Sequence, residues 1–222
     1  MLPFTKEEKA TIKKELSYDL SIAKISENDE YIEIDLGQYY FWFEKTMKGG
    51  KKLYECTAIL CDFENELLTP EALMQCYKYY PDLKELLFEA PRDIVEACKK
   101  KCRRELAIGK YVGTLDECLT ECLFEKHELP RIKQNIESKM KIVESSPKMR
   151  IRENSTEITV SPAICEKKCY INIPHYHLFL GFNILIRSED LHELIRYANN
   201  IHLLIEKYEK QYPEVIRKLY EE

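Results

Sequence analysis

The chain has 222 residues, and its 34 basic against 39 acidic side chains leave a formal charge of -5, a balance that argues against a general nucleic-acid coat. With 45% apolar residues and only 6 glycines, the composition excludes a disordered or collagen-like chain. The longest apolar run, near Leu178 to Ile186, falls short of the roughly 20 residues a membrane helix needs, and MLPFTKEEK is neither a signal peptide nor a transit segment, so a cytoplasmic protein with no membrane association is expected.

Thr5-Lys6-Glu7-Glu8 is a capping box that opens a first helix to about Leu16. Ile32, Ile34 and Leu36 alternate with Tyr31, Glu33 and Asp35, the pattern of a half-exposed antiparallel strand. Strands follow at Tyr39 to Phe43 and Leu53 to Cys61, joined by the Lys48-Gly49-Gly50-Lys51 turn and apolar on both faces. Thr69-Pro70 opens a helix to about Tyr80, and Pro81 a short one to Phe88. After an insert at 91–127, a helix is expected from Pro130 to about Val143. Strands then come near 149–153, 156–160, 169–173 and 176–186. A helix capped by Ser188 buries Leu191, Leu194, Ile195, Ala198, Ile201 and Ile205, and Pro213 starts a last short helix.

SIAKISENDEYIEID at 22–36 echoes KMRIRENSTEITVSP at 148–162 without a gap, pairing Ile25 with Ile151, Ile32 with Ile158 and Ile34 with Val160. Leu2-Pro3 echoes Leu129-Pro130, and YYPDLKELLFE at 79–89 echoes QYPEVIRKLYE at 211–221. The fold class expected is therefore α+β, a tandem duplication of an αβββαα unit at 1–90 and 128–222 bridged by 91–127. Strands apolar on both faces imply helices on one side of each sheet and the other copy, or another chain in a homo-oligomer, on the second. The order helix, three strands, helix is similar to that of secretion-chaperone-like protein-binding folds.

The bridge holds Cys98-x3-Cys102 and Cys118-x3-Cys122 around a turn at Ala107 to Gly113, with Thr114-x-x-Glu117 as a second capping box. Spacing of i,i+4 puts each pair on one helix face, and an antiparallel hairpin sets Cys98 opposite Cys122 and Cys102 opposite Cys118, so two disulfides are expected. Four thiolates can instead close a zinc site or hold an iron–sulfur cluster. The spacing resembles that of twin CX3C proteins such as the small Tim chaperones and the plant α-hairpinins, a resemblance confined to this hairpin. Nine cysteines in a chain rich in Lys and Glu, with glutamine only at 38, 75, 134 and 211, fit a hyperthermophilic archaeon, or a virus or plasmid of one. An oxidising compartment is the rival setting.

Cys165, Cys169, His175 and His177 form the sharpest metal candidate, with zinc as the ion. A helical turn from Ser161-Pro162 would instead let Cys165 bond Cys169. Cys56, Cys61 and Cys76 read as packing residues or one further pair. Lys99, Lys100, Lys101, Arg103 and Arg104 are a candidate phosphate contact, countered by Asp116, Glu117, Glu121 and Glu125 on the facing helix. No phosphate loop is present, and no catalytic residue can be assigned. The sequence thus points to a non-enzymatic protein-binding or adaptor protein. The alternatives are a nucleic-acid-associated protein of a viral or defence system and a metal-dependent enzyme with a Cys2His2 site.

Overall fold

The computed structural model describes residues 1–70, 82–171 and 173–220, with the side chains of 168–176 outside that description. The chain is mixed α+β and divides into two units. One is formed by Met1–Glu66, Met140–Lys167 and Leu178–Glu222, the other by Leu67–Lys139 and Lys168–His177.

In the first unit, α1 (Lys6–Glu15) begins at the expected capping box, with Thr5 and Glu8 bonding reciprocally. The strands are β1 (Lys24–Glu27), β2 (Tyr31–Asp35), β3 (Tyr39–Lys48), β4 (Lys51–Leu67), β5 (Met149–Glu153), β6 (Thr156–Ile171) and β7 (Ile173–Ser188). They make one seven-stranded antiparallel sheet in the order β1-β2-β3-β4-β7-β6-β5. The β3–β4 turn is tight because Gly49 and Gly50 both take positive φ, 59° and 78°, as a two-residue hairpin of this hand requires.

Alternation along the strands sends Ile32, Ile34, Phe41, Phe43, Tyr54, Cys56, Ala58, Ile158, Val160, Ile184 and Ile186 into one core with Ile12 of α1. Further helices complete it: α6 (Leu191–Ala198), α7 (Ile201–Gln211) and α8 (Pro213–Tyr220). Each fully buried aliphatic or aromatic side chain of this kind contributes roughly 1.5 to 3 kcal/mol. The opposite register positions, Tyr40, Trp42, Thr57 and Ile59 among them, are half-buried. Trp42 stacks on Tyr31 with centroids 4.3 Å apart. The aromatic run 39–43 is thus split between two faces.

Three expectations are corrected. The strand at 156–160 does not stop at Ser161-Pro162 but continues to Ile171. Proline is tolerated there because β5 pairs only as far as Val160, which leaves Pro162 on an open strand edge. The helix after Ser188 is two helices, interrupted at Asn199-Asn200 and capped by Asp190, whose carboxylate accepts from the His192 and Glu193 amides. Asn199 explains the break, since its side chain accepts from Ser17 N at 2.7 Å and donates to Glu15 O at 2.8 Å, tying the end of α1 to the interruption. Finally, the helix expected from Pro130 to about Val143 is present as Leu129–Ser145 but is no fresh start. The chain runs from α4 (Leu115–Leu123) through a π-helical turn at Phe124–Glu128 into α5 (Leu129–Ser145). The proline ring crowds the carbonyl four residues back and offers no N–H, and the Leu129 amide bonds Phe124 O in the wider π pattern.

The tandem duplication is not confirmed. Leu2-Pro3 precedes a helix whereas Leu129-Pro130 lies inside one, and Tyr79 to Pro81, with the helix expected at 70–80 and Cys76, lies outside the described residues. The two hairpins of the long echo also differ in register, since Ile25 faces Ile34 but Ile151 faces Ile158.

Candidate functional site: the stapled helical module

In the second unit the bridge folds as α3 (Arg92–Ala107) and α4, with Thr114 and Glu117 forming the expected second capping box. Val95, Cys98 and Cys102 share one stripe of α3, and Cys118, Leu119 and Cys122 one stripe of α4, all buried. Cys98 with Cys122 and Cys102 with Cys118 stand at disulfide distance, each pair with Cα atoms 5.7 Å apart. Two pairs one helical turn apart are two staples, whereas a tetrahedral metal site would draw all four sulfurs to one point.

A third helix belongs to the module and was not attributed to it from sequence. This is α2 (Leu83–Glu89), started by Asp82 rather than Pro81. Its Leu86 is buried in the same apolar cluster as the four cysteines, with Leu83 and Leu87 packed alongside. The signal was the apolar spacing Leu83, Leu86, Leu87, which sequence reading assigned to the preceding repeat.

Some apolar side chains of the module point outward. Val112 is 95% exposed, Phe88 91% and Ile108 65%. Val112 and Ile108 sit in the turn between α3 and α4, which backbone bonds from Gly109, Lys110 and Tyr111 to Leu106 and Glu105 hold, with Tyr111 packed against the cysteine cluster.

The basic helix is only partly neutralised by the acidic one. Lys101 reaches Glu125 at 4.0 Å, Lys99 pairs within its own helix with Glu96, and Lys110 stands 3.9 Å from Glu105. Among the described residues Lys100, Arg103 and Arg104 make no ion pair within 4.0 Å. Glu117 is spent on its cap, and the Thr114 backbone and hydroxyl bonds hold its carboxyl below the usual range. Burial and then the hydrogen bond to Glu121 push the Tyr111 phenol up. Lys100, Lys101, Arg104 and Lys110 line a shallow groove of about 460 Å³ with Ala97 and Ile108, Glu105 being its single acid.

The Cys2His2 candidate fares differently. Cys165 lies on β6 and His177 on β7, while the side chains of Cys169 and His175 lie outside the described residues. Cys165 is free, and four residues of extended strand place Cys169 roughly 13 Å from it, beyond disulfide reach. The local Cys165–Cys169 bond is corrected on that ground. Cys165 instead meets Cys61, and the two thiols share a hydrogen bond. That bond first, then the Lys167 ammonium, holds the Cys61 thiol down against the opposing effect of burial, while the same bond and burial push Cys165 up. Cys56 is wholly buried in the core, and burial raises its thiol.

No family model, curated protein or solved structure matches the chain. No helix among the described residues is long and apolar enough to cross a membrane.

Proposed function

We propose that the chain is a non-enzymatic protein-binding adaptor whose contact element is the stapled helical module. One observation carries the reading: Val112, Ile108 and Phe88 are exposed on a framework closed by two cysteine pairs. Exposed apolar side chains on a pre-ordered element bind without a large ordering cost, and central apolar anchors supply most of the energy of a protein interface. The staples would be superfluous for an element with no task beyond linking two segments. The partner is another protein with an apolar recess, and the source setting proposed from composition, a hyperthermophilic archaeon or its virus or plasmid, belongs to the same reading.

The test is to isolate the stoichiometric complex from the native host, identify its components and measure its affinity with Ile108→Asp and Val112→Asp. Each change is expected to weaken binding at least tenfold and to leave the fold intact. A complex indifferent to both would defeat the reading.

The groove of Lys100, Lys101, Arg104 and Lys110 favours nucleic acid as a second reading. Lys100→Ala, Lys101→Ala, Arg103→Ala and Arg104→Ala together separate the two. Under the adaptor reading the combined variant leaves partner binding unchanged. Under the second it lowers the salt dependence of DNA or RNA binding by about one unit of slope per lost contact.

A further inference from the structure

Cys61 on β4 and Cys165 on β6 flank β7 at Gly181 within the first unit. A Cβ at residue 181 would lie 2.8 Å from Cys165 Sγ and 3.2 Å from Cys61 Cα, and would collide with the Leu60 carbonyl oxygen. The glycine therefore leaves a hollow that the Cys165 thiol occupies, with the Cys61 backbone beside it. Cys165 Sγ also donates to Leu60 O at 3.6 Å.

Distance decides what such a pair can do. Strands separated by a third stand roughly 9.5 Å apart, whereas a disulfide needs Cα atoms within about 7 Å. Two cysteine side chains reaching toward each other across that span leave roughly 4 Å between their sulfurs. That is too far for a bond but close to two metal–sulfur bonds in line, at about 2.3 Å each. Among the described residues no group of three or more His, Cys, Asp or Glu side chains is placed to hold a metal, and zinc asks for four ligands. Thiolates alone, and only two of them, select a soft monovalent ion.

We propose that Cys61 and Cys165 bind one Cu(I) ion in two-coordinate geometry over Gly181. Binding displaces both thiol protons and leaves a complex of charge -1. Lys167 lies close enough to act electrostatically on both sulfurs and favours their thiolate forms, against the opposing Asp35 carboxylate at Cys61. Asp35 pairs with Lys167 at 3.3 Å and holds it in place. Leu60 and Gly181 also line a cavity of about 600 Å³ with Asp62, Glu209 and Tyr220. This site is independent of the adaptor reading.

The experiment titrates the intact, disulfide-bonded chain with Cu(I) under anaerobic conditions, the ion kept reduced by ascorbate, which spares disulfides. Bathocuproine disulfonate serves as the coloured competitor. One Cu(I) per chain is expected, with two sulfur neighbours and no third ligand by X-ray absorption. Cys61→Ser and Cys165→Ser should each weaken retention at least 100-fold, while Cys56→Ser leaves it unchanged. Gly181→Ala should abolish it with the thiol count intact. If that variant fails to fold, the serine variants and the absorption spectrum of the native chain still decide. The proposal is overturned by undiminished copper in the double serine variant, by a third metal ligand, by failure of the native chain to compete for the ion, or by a Cys61–Cys165 disulfide in unreduced digests.

Discussion

Removing the staples one at a time should cost less than removing them together, and the nesting of the two loops sets by how much. The pairs span 24 and 16 residues, the shorter lying wholly inside the longer. In the chain-entropy relation the inner link alone is worth about 3.1 kcal/mol and the outer alone about 3.5 kcal/mol. Once the inner is closed, the outer closes only the eight remaining residues of separation, 24 less 16, worth about 2.6 kcal/mol. The two together give about 5.7 kcal/mol, so losing the inner link with the outer kept costs about 2.2 kcal/mol. The sole tryptophan, Trp42, lies in the first unit, so its fluorescence does not report on the module. Amide hydrogen exchange across 92–123 does. Cys102→Ala with Cys118→Ala should lower protection there about 40-fold, Cys98→Ala with Cys122→Ala about 80-fold, and all four changes together on the order of 10⁴-fold. Unchanged protection in the quadruple variant, or a mixed Cys98–Cys118 pairing in digests, would refute the nested-loop account.

Three further outcomes follow from the first unit. Glu8 accepts from Lys45 at 2.7 Å and Tyr54 at 2.6 Å; burial alone would raise its carboxyl, but those bonds and the Thr5 amide bring it down to about 2. Because the folded value is depressed, its stabilisation is fully present above 4.5 and is lost as pH falls from there toward 2. Glu8→Gln should therefore cost about 2 to 3 kcal/mol at pH 7 and flatten stability across that acid window in urea titrations. Ile34→Ala, at a fully buried site, should cost about 2 to 5 kcal/mol in the same titration. Asn199→Ala removes both bonds to the end of α1 and should cost about 1 to 2 kcal/mol, with faster exchange in α6 and α1 but not in the module.

What could be read from the sequence was what depends on short spacing. The capping boxes at Thr5 and Thr114, the Gly49-Gly50 turn and the Cys-x3-Cys pairs each act within one or two turns of chain, and each is present in the structure. What could not be read depends on neighbours distant in sequence. Pro162 looked like a strand end because its tolerance rests on β5 stopping at Val160. Asn199 looked like mid-helix because its partners are Ser17 and Glu15. The approach of Cys61 and Cys165 requires the order β4-β7-β6, which no local pattern encodes. The turn residues Ile108 and Val112 were visible as letters, but their exposure emerges only once the staples and α2 have taken the other apolar side chains inward.

The echo at an offset of 126 residues shows why a matching pattern is weaker than it looks. In the sheet order β1-β2-β3-β4-β7-β6-β5, the meanders β2-β3-β4 and β5-β6-β7 meet at the seam between β4 and β7. A twofold through that seam exchanges β2 with β5 and β3 with β6. The echo instead pairs Ile25 of β1 with Ile151 of β5, and Ile32 of β2 with Ile158 of β6, so Ile32 cannot satisfy both. Turn chemistry separates the hairpins as well. Asn28 accepts from the Glu30 and Tyr31 amides across a wider turn, whereas Asn154 takes a positive φ of 51° in a two-residue turn. The pairing sums then differ by two, and a two-residue shift keeps every side chain on its own face. Ile32, Ile34, Ile158 and Val160 are therefore all fully buried although their partners do not correspond. A turn asparagine followed by alternating β-branched residues suits any hairpin with one covered face, so the likeness does not by itself establish a duplication.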